Sequence, residues 1–128
     1  MKSYTILGKY PVIEAIKSKS ERLLKVYILE QNTKYLNTLN YSNFEIVDKK
    51  FFKKIYKNQD IVHQGYAAKI SKNNLDLNKL YKTNNNIVLM DNINDSRNQG
   101  AIIRSCLAFN VYDIIIEKKY YRENNLSM

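Results

Sequence analysis

Two arginines and a glycine at the start of a predicted helix are the residues best placed to do chemistry. Residues 91–111 begin where a strand ends and lead into a helix, and ligands of open α/β sheets gather at such strand ends. Gly100 lets a backbone approach closely at the helix N-terminus, whose N–H groups favour anions. Arg97 and Arg104 are seven residues apart and point in similar directions around the helix axis, so their guanidinium groups could clamp a phosphate. The same spacing also fits two ordinary arginines on a solvated helix face.

The elements around these residues read as one βαβ unit. Residues 87–91 form an unbroken apolar run, typical of a parallel strand buried on both faces, and residues 114–116 form a second such run. A polar turn at 92–99 and a helix at 100–109 connect them. The predicted buried side of that helix consists of Ile102, Ile103, Cys106 and Leu107. Such a strand pair needs neighbours, and the polar residues 117–128 do not supply them, so we expect the missing strands in another chain or lost from the gene.

Residues 1–70 alternate strands and helices, which predicts a small α/β sandwich. Pro11 suits the first position of a helix whose apolar face is Val12, Ile13, Ala15 and Ile16. The later elements are predicted as a strand at 24–29, a helix at 31–40, a strand at 44–47, a helix at 49–57 capped by Asp48, and a strand at 65–70. The polar, Asn-rich residues 71–86 are predicted to be a linker that touches a domain surface through Leu80 and Tyr81. A long surface loop within one domain is the alternative.

Positive charge is concentrated in the first part of the chain. Of the formal net charge of +9, residues 1–70 carry +7, residues 71–86 carry +2 and residues 87–128 carry none. This asymmetry favours a polyanion as the partner of the first domain. Composition offers a second explanation, because 17 Lys beside 4 Arg, 17 Asn and 15 Ile also follows from AT-rich codons.

Several classes of protein are excluded by composition. The single Cys rules out an intramolecular disulfide, and with a single His it also excludes a structural zinc site, so no metal-binding residues are expected. We therefore expect a reducing, cytoplasmic location. The apolar runs fall far short of the roughly 20 residues that a membrane span needs, and no secretory signal is visible, so no membrane partner is expected.

Three segments together resemble a known family. Residues 91–111 follow the pattern D-x-I-x-D-x-x-N-x-G-A-I-I-R-S-x-x-A-F-x-V, which resembles the first signature motif of the SpoU (TrmH-type) RNA 2′-O-ribose methyltransferases. Residues 7–16 are similar to the G-x-x-x-V-x-E-A-L opening of the substrate-binding domain of that family, and residues 63–65 are similar to its H-Q-G segment. Order and spacing agree along nearly the whole chain. The closest resemblance is to enzymes that methylate a guanosine ribose in 23S ribosomal RNA.

The resemblance implies a fold and a set of roles. The fold would be an L30e-like RNA-binding domain (1–70), the linker, and the first βαβ unit of a SPOUT-type (trefoil-knot) methyltransferase domain (87–128). S-adenosylmethionine would be the methyl donor, and Arg104 and Asn98 would be the catalytic residues. Because guanidinium groups keep their proton in proteins, we expect Arg104 to anchor a phosphate and stabilise the developing alkoxide rather than to act as a base. The residues expected to contact RNA are Lys9, His63, Gln64 and Arg97.

The sequence also departs from the family pattern. The second and third motifs, which build the cofactor pocket and much of the dimer interface, are not found, so we expect no cofactor-binding residues in this chain and a truncated protein that is inactive alone. Asn110 replaces a usual Gly, Ser96 a usual Pro and Cys106 a common Ala, and Cys106 is expected to be a small buried residue. Two alternatives stay open: a non-catalytic L30e-like RNA-binding protein, and one half of a two-chain enzyme. The expected protein partners are a second copy or a chain carrying the missing motifs.

Overall fold

A four-stranded sheet organises the first part of the chain in the computed structural model, which describes residues 2–56, 62–72, 76–80, 82, 85–117 and 119. The chain divides into two compact units between residues 73 and 74. The elements of the first unit are β1 (Ser3–Leu7), α1 (Lys9–Lys17), β2 (Leu23–Ile28), a 3-10 turn (Glu30–Asn32), α2 (Thr33–Thr38), β3 (Phe44–Ile46), α3 (Lys49–Tyr56) and β4 (Tyr66–Ser71).

The strand order brings distant loops to one edge of the sheet. The order is β1-β4-β2-β3, with β4 antiparallel to both β1 and β2, and β3 parallel to β2. As a result β1, β2 and β3 end at the same edge at which β4 begins. We call this edge, formed by residues 8–9, 29–32, 47–48 and 63–65, the loop edge.

Apolar residues at helical spacing on α1 pack on the sheet and form the core of the first unit. Val12 and Ile16 are buried together with Val26 and Ile28 of β2. Their spacing confirms the predicted apolar face of α1. The helix begins two residues earlier than predicted, so Pro11 lies within its first turn, where the missing N–H removes no helical hydrogen bond.

The other elements of the first unit follow the prediction closely, apart from β1, which the sequence analysis did not predict. The N-cap of α3 is confirmed, since the Asp48 carboxylate accepts a hydrogen bond from the Phe51 backbone N–H at 3.0 Å. The mixed α/β character of the fold is confirmed as well. Within the segment predicted as a linker, Ser71 ends β4 and Leu77–Leu80 form a short helix, α4, in which Leu80 is buried. Tyr81, the second residue predicted to contact a domain surface, lies outside the described residues, and the extent of the linker stays a prediction.

The second unit contains the predicted βαβ connection. Strand β5 (Ile87–Met90) leads through helix α5 (Ser96–Ala108) to strand β6 (Asp113–Ile116), and the two strands pair in parallel. The helix begins four residues earlier than predicted because the Asp95 carboxylate caps it, accepting from the Arg97 N–H at 2.7 Å. Arg97 and Asn98 are therefore helical and do not lie in a polar turn.

Burial in the second unit differs from the prediction. Cys106 is buried as expected, but Leu89 is 66% exposed, Ile103 42% and Leu107 56%. The prediction of a strand buried on both faces and of a fully buried helix side is therefore wrong for the described residues. The reason is that β5 and β6 form a two-stranded sheet in the part of the chain that the structure describes, so little surface is available to cover them.

Asn110 terminates α5 in a backbone conformation that glycine adopts easily. Its φ angle is +58°, in the left-handed region. The Asn110 N–H donates to the Leu107 carbonyl at 3.2 Å and the Val111 N–H donates to the Cys106 carbonyl at 2.8 Å. This is a Schellman motif, in which asparagine is the most tolerated replacement for glycine.

Among the described helices, none combines the length and apolar character needed to cross a lipid bilayer.

Candidate functional site

The turn at residues 63–65 fits so tightly at the loop edge that only glycine can occupy its last position. Gly65 has a φ angle of +76°. A Cβ atom there would lie 2.6 Å from Asn32 Nδ2 and 3.0 Å from Leu29 Cδ1. The packing therefore requires glycine, and the backbone conformation favours it.

Hydrogen bonds from the end of β2 and the 3-10 turn hold this turn in place. The Asn32 side-chain amide donates to the Gln64 carbonyl at 3.2 Å and to the Gly65 carbonyl at 3.0 Å. The Leu29 backbone N–H also donates to the Gly65 carbonyl, at 3.1 Å. Asn32 was not among the predicted site residues. A lone Asn within a predicted helix gave no signal, because its role depends on a contact 32 or 33 residues away in the sequence.

Gln64 and Lys9, 55 residues apart in the sequence, meet at this edge. The Lys9 backbone N–H donates to Gln64 Oε1 at 3.1 Å, so Gln64 satisfies one of the free N–H groups at the start of α1. Gly8 cannot do so because it has no side chain. The Lys9 ammonium lies 4.7 Å from the centre of the Tyr35 ring, a cation–π contact that holds the charge at the loop edge.

His63 is fixed beside Gln64 as a neutral ring. Its Nδ1 accepts the Gly65 backbone N–H at 2.9 Å, and its ring stacks on Phe52 with centroids 4.2 Å apart. A nitrogen that accepts a hydrogen bond carries no proton, so the neutral ring holds its proton on Nε2. Burial lowers the pKa of His63 below its ordinary value of 6.5, which agrees with this state. The structure thus brings together Lys9, His63 and Gln64.

The remaining predicted site residues lie on α5 in the second unit. Arg97, Asn98 and Arg104 are all exposed. Arg104 Nη1 lies 3.5 Å from the position that a Cβ of Gly100 would take, so its side chain runs back towards the start of the helix. Helical geometry places Arg97 within about 20° of the Arg104 bearing but Asn98 roughly 120° away. The two arginines therefore share one stripe of the helix, and Asn98 lies on a different face of it.

A carboxylate that the sequence analysis did not single out joins the ends of the two strands in this unit. Glu117 Oε1 accepts the Asn92 backbone N–H at 2.6 Å, and Glu117 Oε2 lies 3.4 Å from Lys119 Nζ. The hydrogen bond from Asn92 is the main cause that lowers the pKa of the Glu117 carboxyl. Its position directly after β6 was the available signal, because parallel strands end at the same sheet edge.

An open cavity of about 350 Å³ lies against α5 in the same unit. Its walls are almost entirely apolar, and the Ser105 side chain is the exception. The lining residues are Val88, Ala101, Ile102, Ser105, Cys106, Phe109 and Val111.

Two comparisons with known proteins both indicate RNA methyltransferases. Residues 5–75 match the family model described as RNA 2′-O ribose methyltransferase substrate binding, so the match includes Lys9, His63 and Gln64. The chain is also 39% identical over 83 residues to an uncharacterized tRNA/rRNA methyltransferase of Mycoplasma genitalium. That alignment covers 59% of this chain and 34% of the relative, so the chain spans about a third of the length of the curated relative that it matches.

The neutral His63 predicts a fall in stability in mild acid. Its pKa is lower folded than unfolded, so the unfolded chain binds the proton more readily. The stabilisation is fully present above the unfolded pKa, near 6.5, and is lost as the pH falls towards the folded value. We expect the free energy of unfolding in urea to decrease between pH 7 and pH 5.5.

A matched variant assigns this slope to His63. His63→Asn retains an oxygen that can accept the Gly65 N–H but does not titrate, so its stability should stay nearly constant over the same range. The chain has one His, so no other side chain has its ordinary pKa in this interval. An equal slope in the wild type and in His63→Asn would contradict the assignment.

Proposed function

The chain belongs to the SpoU family of RNA 2′-O-ribose methyltransferases, and from this premise we propose that it takes part in methylating the ribose of ribosomal RNA, with the first domain binding the RNA. The family match covers more than half of the chain. The observation that carries the proposal is the meeting of Lys9, His63 and Gln64 at the loop edge, within the matched residues.

Charge and fold support RNA as the ligand of the first domain. Residues 1–70 carry a formal charge of +7, which suits a phosphate backbone. The mixed sheet flanked by helices supports an L30e-like assignment for this domain. The parallel β5–α5–β6 connection supports an assignment of residues 87–128 to the start of a trefoil-knot methyltransferase domain.

Arg104 and Asn98 are the residues proposed to act on the ribose. The side chain of Arg104 extends towards the start of α5 and shares a stripe with Arg97. Two guanidinium groups on one stripe suit the phosphate next to the reacting ribose, and Arg104 would also stabilise negative charge that develops on the 2′-oxygen. Asn98 lies roughly 120° round the helix from Arg104, so it would have to approach the ribose from another side, as a hydrogen-bond partner that orients it.

The apolar cavity against α5 does not by itself fit S-adenosylmethionine, the methyl donor that the family implies. That molecule carries a carboxylate, an ammonium group and a sulfonium charge. The cavity against α5 offers apolar walls and the side chain of Ser105, with no charged side chain among its lining residues. A charged ligand that gives up its water there would lack compensating partners. We therefore propose that cofactor binding needs more than these residues.

The choice of ribosomal RNA rests on the resemblance of the three motifs described above. The relative from Mycoplasma genitalium is named for both tRNA and rRNA. Binding measurements with the two RNA classes separate these substrates, and stronger binding to a large-subunit ribosomal RNA fragment than to tRNA is the expected result.

A charge introduced at Gln64 should weaken RNA binding without disturbing the loop edge. Gln64→Glu keeps a side-chain oxygen that can accept the Lys9 N–H, but it places a negative charge where a phosphate is expected. We expect affinity for a ribosomal RNA fragment, measured by fluorescence anisotropy, to fall about tenfold. The control is Ser42→Glu, which adds the same charge before β3, at the opposite edge of the sheet. Equal losses from both variants would show that only net charge matters, and would contradict a site at the loop edge.

The poor fit of this apolar cavity to the methyl donor gives a second expectation. In a calorimetric titration with S-adenosylmethionine, the chain should show no saturable binding at micromolar concentrations, although the same preparation binds ribosomal RNA. RNA binding serves as the control for correct folding. Saturable micromolar binding of the cofactor would contradict the proposal that the site needs further residues.

A further inference from the structure

An open groove of about 1110 Å³ lies next to the loop edge, between the end of β3 and the start of α3. Three lysines line it on the helix side, namely Lys49, Lys50 and Lys54. Its apolar surface comes from Ile46, Val47 and Phe51. Neither the family match nor the sequence analysis assigns a role to this combination of cationic and apolar side chains.

The apolar surface of the groove is fixed and partly open to solvent. Ile46 is 53% exposed. The Phe51 ring is half-buried and stacks on Tyr27 with centroids 4.8 Å apart, so its position is set by the sheet. An exposed apolar surface beside cationic groups suits a ligand that has both a flat apolar face and a negative charge.

Two of these lysines lie at the end of α3 where positive charge stabilises a helix least. Lys49 and Lys50 occupy the first turn of α3, and that turn contains no acidic residue. The helix dipole favours anions at this end and disfavours cations. The Asp48 carboxylate caps this end of the helix, and a bound anion would add a second negative charge beside the three lysines, so the arrangement favours phosphate over an uncharged ligand.

The groove continues into the loop edge. Leu29 lines the groove, and its backbone N–H binds the Gly65 carbonyl at 3.1 Å. Phe51 meets Phe52 edge to face at 5.5 Å, and Phe52 stacks on His63 at 4.2 Å. Because residues 29–31 and 47–48 belong to both the loop edge and the groove lining, a ligand bound at Lys9 and Gln64 could extend into the groove.

We infer that this groove binds a single-stranded segment of RNA, with a base against Phe51 and phosphates at the lysines. The inference rests on the proposed function and adds a second contact site to it. Only an unstacked base offers its face to an aromatic side chain, and in a duplex these faces are covered. Glu30 and Asp48 also line the groove. Because the Asp48 carboxylate caps the start of α3, we expect the phosphates nearer to Lys54 than to the first residue of the helix.

The test compares two neighbouring lysines in the full chain. Lys54 lines the groove, whereas Lys53, also exposed and on the same helical turn, does not. We expect Lys54→Ala to weaken binding of fluorescein-labelled decauridine three- to fivefold at low salt. It should also reduce the slope of log affinity against log salt by about 0.7, the value for one phosphate contact to a single strand. Lys53→Ala should change both quantities much less.

A second variant tests the aromatic contact. Phe51→Leu keeps an apolar side chain against Tyr27 but removes the aromatic face, so decauridine binding should weaken about tenfold with an unchanged salt slope. Binding of a blunt RNA duplex should be unaffected. A thermal melt checks that the variant folds, and the two lysine variants, at exposed positions, keep the test valid if it does not.

Three outcomes would overturn the inference: equal effects of Lys53→Ala and Lys54→Ala, unchanged decauridine binding by a folded Phe51→Leu, or a stronger effect on the duplex than on the single strand. In each case a loss of ribosomal RNA binding in Gln64→Glu would leave the proposed function standing. Failure of the wild type to bind any RNA would instead refute the proposed function itself.

Discussion

The close fit of Gly65 against Asn32 and Leu29 is the constraint on which the loop edge depends. With 2.6 Å between Asn32 Nδ2 and the position of an added Cβ, a side chain at residue 65 would push the turn away from β2. The Asn32 amide would then lose its two carbonyl partners, and Gln64 would move away from the N–H of Lys9. The start of α1 and the position of the candidate RNA contacts thus depend on one glycine.

Much of the first unit could be predicted from the sequence, because its helices carry regular apolar stripes and its turns carry recognisable residues. Val12 and Ile16 marked the buried face of α1, and Asp48 marked the start of α3. The contact between Gln64 and Lys9 could not be predicted from spacing alone. It requires β4 to pair antiparallel with β1, and local pattern contains no information on strand order.

In the second unit, the connection of the elements was predicted well but the burial of their side chains was not. Its motif was the most informative part of the sequence, yet burial there was predicted poorly. An apolar run indicates that a strand is stabilised when other elements pack on it, but it does not show that such elements are present. Leu89 is exposed for this reason. The start of α5 was also misplaced, since the capping strength of Asp95 outweighed the polar character of the residues that follow it. Arg97 and Arg104 consequently lie on one continuous helix.

Ultraviolet crosslinking of the full chain to a large-subunit ribosomal RNA fragment, with the crosslinked peptides identified by mass spectrometry, tests most directly whether the loop edge binds RNA. Both edges of the sheet have aromatic side chains nearby. His63 lies at the loop edge and Tyr35 contacts Lys9 there, whereas Tyr41 precedes β3 at the opposite edge. Crosslinks concentrated at Tyr35 and at His63 are the expected result. Crosslinks concentrated at Tyr41, with none at Tyr35 or at residues 62–66, would contradict it.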